Sequence, residues 1–69
     1  MEFKDRNGIV LKIGDHIMPE EGRELMIISQ GKIEEYEEEV MFGQQVEDMA
    51  AFSILTKENL ANNWMKKED

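Results

Sequence analysis

Short apolar runs separated by turn residues dominate the chain. Leu11 and Ile13 alternate with Lys12, the pattern of a half-buried extended segment. Residues 15–18 continue as a strand that stops at Pro19, which has no ladder donor. Leu25-Met26-Ile27-Ile28 is a continuous apolar run bounded by glycines at 22 and 31. Its length and its isoleucines predict a strand over residues 24–30, covered on both faces or paired in a dimer. Gln30-Gly31-Lys32 reads as a turn.

Residues 33–39 fit two periods. Ile33, Tyr36 and Val40 fall at helical spacing, and glutamate is a good helix former. In a strand, Tyr36, Glu38, Val40 and Phe42 would share one face, with Glu37, Glu39 and Met41 on the other. The strand reading, over residues 37–43, is adopted, and the helical one stays open. A turn at 44–48 precedes a strand at 50–55, with Phe52 and Ile54 on one face. Thr56 is a good helix N-cap for a short helical turn over residues 57–62. Beyond it the chain either forms a brief strand at 64–66 or extends the helix and buries Leu60 with Trp64. Residues 66–69 should fray.

Two turn signals organise the first quarter. Asp5-Arg6-Asn7-Gly8 fits a type I turn closed by a glycine at positive φ, with Asp5 bonding N–H groups two residues on. Phe3 and Lys4 should then pair near Ile9. Gly14-Asp15 supplies the second bend, with Asp15 holding it through its own side chain. The run Asp5, Asn7, Gly8, Gly14, Asp15 and Ile17, in the pattern D-x-N-G-x-x-x-x-x-G-D-x-I, resembles a segment of small phage and mobile-element proteins of Firmicutes such as the YopX-like proteins. It also resembles the opening strand of small SH3-like barrels. This resemblance implies a mainly β fold, a small SH3-like barrel of about five short antiparallel strands. No site residues come with it.

Sixty-nine residues are read as a single β domain over residues 1–69, with a thin core. Without cysteine, no disulfide or thiolate metal site staples it. Self-association is therefore one source of stability. Sixteen acidic against eight basic residues leave a net charge of −8. That balance disfavours direct nucleic-acid binding and anionic membrane surfaces. No apolar run spans a bilayer, and Met1-Glu2-Phe3-Lys4 has no signal pattern. A cytoplasmic protein is expected.

Candidate chemistry is sparse. Glu34, Glu35, Glu37, Glu38 and Glu39 suggest a cation patch or a mimic of nucleic-acid charge, but alternating glutamates on an extended segment do not converge on one ion. A solvated, aggregation-resistant segment explains them better. In Asp5-x-Asn7-Gly8 the glycine comes too early for a calcium loop. His16 is the only histidine and should sit outward beside an inward Ile17. Ser29, Ser53 and Thr56 lack a nucleophile-elbow setting, and the glycines are scattered rather than gathered into a phosphate loop. Neither an enzyme nor a cofactor or metal is expected. Tyr36, Phe42, Phe52 and Trp64 offer an aromatic groove of the SH3 kind, against the alternative of core packing. The methionines suit an adaptable contact surface or a thin core equally.

The expected function is a non-catalytic protein-interaction module of phage or mobile-element origin. Its candidate surface is Tyr36, Phe42, Trp64, Glu35, Glu37 and Glu39, and its partner is another protein or a second copy. The alternative is an acidic decoy that occupies a host DNA-binding protein.

Overall fold

A computed structural model describes residues 2–68. Strands β1 (Phe3–Lys4), β2 (Val10–Leu11), β3 (His16–Pro19), β4 (Leu25–Lys32), β5 (Glu39–Gln45) and β6 (Phe52–Leu55) precede helix α1 (Lys57–Asn63) and strand β7 (Trp64–Lys66). They form two antiparallel sheets, neither closed on itself: the pair β1-β2, and five strands in the order β6-β5-β4-β3-β7. The expected five-strand pattern is thus present as an open sheet with a separate hairpin beside it. Asp69, the last residue expected to fray, and Met1 lie outside the described residues.

The two turns form as their residues dictate. The Gly8 N–H donates to the Asp5 carbonyl at 3.0 Å, and the Asp5 N–H donates to the Ile9 carbonyl at 2.9 Å. Gly8 takes φ +82°, which a side chain would strain. This closes β1 against β2, with Phe3 opposite Leu11 and Lys4 opposite Val10. At the second turn the Asp15 N–H donates to the Lys12 carbonyl at 3.0 Å, and the Lys12 N–H donates to Asp15 Oδ2 at 2.9 Å. Gly14, at φ +99°, occupies the third position of this turn. Ile13 sits on the turn and is exposed, so it does not share the buried face of Leu11 as alternation predicts.

Asp5 does more than shape its own turn. It is buried, and its Oδ1 accepts the N–H groups of Asn7 (2.9 Å) and Ile9 (2.8 Å). Its Oδ2 accepts the N–H of Lys66 in β7 at 2.8 Å, across almost the whole chain. Arg6 N–H adds a bond to the Trp64 carbonyl at 2.8 Å. Burial alone would raise the Asp5 carboxyl. The N–H groups of Lys66, Ile9 and Asn7, helped by the Lys66 charge, outweigh it and hold the group below the ordinary carboxylate range.

The core gathers Phe3, Leu11, Ile17, Leu25, Ile27, Met41, Leu55 and Leu60, with Trp64 packed against it. Thr56 Oγ1 caps α1 by accepting the Asn59 N–H at 3.1 Å, and Leu60 points into the core. The helix stops at Trp64, which turns extended (φ −120°, ψ 145°) and pairs with Pro19. The strand reading of 64–66 therefore holds over the longer helix. Lys66 is a paired strand residue rather than a frayed one, and the Lys67 N–H bonds the His16 carbonyl at 2.8 Å.

Two expectations are corrected in the central hairpin. The chain does not turn at Gln30-Gly31-Lys32. β4 runs through Lys32, and Gly31 pairs with Val40 while the Phe42 ring lies over it. The connection is instead residues 33–38, bends rather than the expected strand start, and Tyr36 N–H closes one turn to the Ile33 carbonyl at 3.0 Å. Packing also decides which face of this strand turns inward. Met41 and Gly43 face the core, Phe42 is half-buried on the other side, and Val40 is buried apart from the main cluster. Gly43 decides this arrangement. A Cβ there would meet Leu25 Cδ1 and Leu55 Cδ1 at 3.0 Å each, so the two leucines pack on bare backbone.

Asp5→Asn puts an amide donor where N–H groups now donate, and it is expected to cost about 2–3 kcal/mol in urea unfolding. Because the Asp5 pKa is depressed on folding, its contribution is complete above the unfolded-state value near pH 4 and is lost as pH falls through the folded-state value. The acid limb of a melting-temperature profile should be shallower in the variant. Gly43→Val, which crowds Leu25 and Leu55, is expected to cost about 1–3 kcal/mol in the same assay.

Candidate functional site

Two surfaces stand out: a polar cleft beside β3 and an apolar patch on the outer side of β5 and β6. The cleft is a partly open hollow of about 320 Å³. Its walls are Ile9, the Gly14-Asp15 turn, His16, Lys66, Lys67 and Glu68. The pairing of β3 with β7 brings these walls together, since Ile17 lies opposite Lys66.

His16 sits at the rim, as the outward position beside buried Ile17 predicts. Its Nδ1 is hydrogen-bonded to Glu24 Oε2. Lys67 Nζ donates to Glu24 Oε1 at 2.9 Å. The bond from His16 and then that from Lys67 hold the Glu24 carboxyl below its ordinary range. Lys66 Nζ lies 3.7 Å from Asp15 Oδ2. Two engaged groups thus border the cleft, Lys66 with Asp15 and Glu24 with His16 and Lys67. A carboxylate that orients an imidazole is half of an acid–base device, and among the described residues that line the cleft none carries a hydroxyl or thiol. Among the described residues no group of three or more His, Cys, Asp or Glu side chains is placed to hold a metal ion.

The six residues expected to form an interaction surface are dispersed. Glu35, Tyr36 and Glu37 lie on the 33–38 connection, and Glu39 opens β5, where its Oε2 accepts from Gln30 Nε2 at 3.1 Å. Phe42 is on β5 and Trp64 on β7, with β4 and β3 between them. Trp64 packs against the core while its Nε1–H donates to Asn59 Oδ1 at 2.7 Å. The structure therefore does not bring Tyr36, Phe42 and Trp64 into one groove. The glutamates crowd a hairpin tip rather than line an elongated face.

The apolar patch was not legible from spacing. Phe52 is 62% exposed, Met49 65%, Ile54 45% and Val46 41%. The pairing of β6 with β5 sets Ser53 across from Gly43 and Leu55 across from Met41, and both of those β5 residues face the core. Phe52 and Ile54, across from Gln44 and Phe42, are thereby turned outward, so the core-packing alternative does not hold for Phe52. Gln44 Nε2 donates to the Met49 carbonyl at 2.6 Å and ties the 46–50 loop to this face. The available signal was composition: Phe52-Ser53-Ile54-Leu55 carries no charge in a chain that is 35% charged.

No protein-family model, curated protein or solved structure matches the chain. No helix among the described residues is long and apolar enough to cross a membrane.

Replacing the imidazole in His16→Ala removes the larger of the two bonds holding Glu24 down. NMR titration should show the Glu24 carboxyl rising toward its ordinary value, with Lys67 retaining part of the depression.

Proposed function

We propose that the chain is a non-catalytic protein-interaction module that binds through the outer face of β5 and β6. The observation that carries the reading is the exposure of Phe52 and Ile54 on the outer face of β6 beside half-buried Phe42, with Val46 and Met49 exposed on the loop that joins β5 to β6. Exposed apolar residues gathered on one sheet face mark contact surfaces, whereas isolated ones do not. The cleft supports the same reading, because its histidine, lysines and carboxylates are engaged with one another.

The fold reading goes with it. The hairpin β1-β2 meets the outer edge of β7 through Arg6 and Asp5, and a short helix precedes the last strand. These features favour a small SH3-like barrel and agree with the turn pattern shared with small phage and mobile-element proteins. On this reading the module works in the cytoplasm, and its partner is a protein rather than nucleic acid or membrane.

A photo-crosslinking amino acid at position 49, beside β6 but outside it, tests the function. In extract of the producing cells it should give a discrete protein adduct, lost when Phe52 is changed to Lys. Absence of any adduct, to another protein or to a second copy, would overturn the interaction reading.

A further inference from the structure

The two edges of the five-stranded sheet differ. The outer edge of β7 is occupied, because the Lys66 N–H bonds Asp5 and the Trp64 carbonyl accepts from Arg6. Among the described residues no hydrogen bond reaches the outer edge of β6. Gln45 N–H bonds the Ala51 carbonyl at 3.0 Å, so the hydrogen-bonded pairs of this ladder are Gly43 with Ser53 and Met41 with Leu55. Phe52 and Ile54 are the alternate pairs, and their N–H and C=O groups point away from β5. Natural edges are blunted by charge, proline or a covering segment. β6 has no charge and no proline.

We propose that β6 pairs antiparallel with β6 of a second copy, around a two-fold axis at Ser53, and joins the two five-stranded sheets into one. This deepens the interaction reading above by naming its partner. The edge matches itself in this register. Phe52 of each copy lies opposite Ile54 of the other, so both outward-pointing residues exchange both of their backbone bonds. An aromatic beside a β-branched side chain is a favourable cross-strand pair, and the register makes it twice. Ser53 meets its own symmetry mate at the close, non-hydrogen-bonded spacing, where a small side chain fits.

Pairing covers the free strand edge and the flanks of Phe52 and Ile54, which are 62% and 45% exposed in the single chain. The seam is uncharged, so the −8 of each copy does not meet across it.

Sedimentation of the purified chain from about 1 to 200 µM should show conversion from one chain mass to two. Ile54→Lys and Phe52→Lys, both at exposed positions, should keep the far-ultraviolet dichroism and weaken the dimer by more than about tenfold. The Phe52 and Ile54 amides should become protected from hydrogen exchange as the dimer fills. A monomer throughout the range overturns the pairing. So does a dimer that both lysine variants leave intact, or one in which those two amides stay unprotected. If the chain stays monomeric while position 49 still crosslinks a different protein, the pairing falls and the interaction reading stands. If neither mass nor adduct appears, both fall.

Discussion

A single buried carboxylate ties the two ends of the fold together. Asp5 presents two oxygens to three backbone N–H groups, two from its own turn and one from Lys66. A neutral amide has only one acceptor oxygen, so it could not serve both sides. Placing a charge out of water is costly unless its lone pairs are met. Here they are, which is why burial and ionisation coexist. The same contact seats β7 along β3 and leaves Trp64 against the core. The last strand thus owes its place to a turn at the opposite end of the chain.

That arrangement gives the sheet its asymmetry. One edge is finished by Asp5 and Arg6, and the other ends in an uncharged strand with its backbone groups outward. The charge is distributed to match. Glu34, Glu35, Glu37 and Glu38 are exposed on the tip between β4 and β5, where they oppose non-specific pairing. β6 has no such protection.

The cleft beside His16 shows how tertiary contact gathers polar residues from distant segments. Glu24 precedes β4, His16 opens β3 and Lys67 follows β7. Three chain segments meet so that one carboxylate serves two cationic or hydrogen-bonding partners. The depressed Glu24 carboxyl follows from those bonds. This chain of pairs crosses the β3–β7 seam and adds polar closure to what the Asp5 bonds begin.

Turn chemistry was readable residue by residue. Asp5, Gly8, Gly14 and Asp15 act on backbone groups within four positions, and Thr56 caps the helix three residues ahead. Such interactions depend on near neighbours, so local sequence specifies them. The mainly β architecture, the short helix and the outward His16 follow from the same short-range rules. The faces of β5 and β6 did not. Period-two alternation sorts Phe52 and Ile54 from Ser53 and Leu55, but it cannot say which pair turns inward. That choice rests on register against β5, where Gly43 leaves room for Leu25 and Leu55. Likewise no local signal joins Asp5 to Lys66 or parts Phe42 from Trp64. Those relations exist only once distant strands are packed, because the space and the N–H groups that fix them come from the far end of the chain.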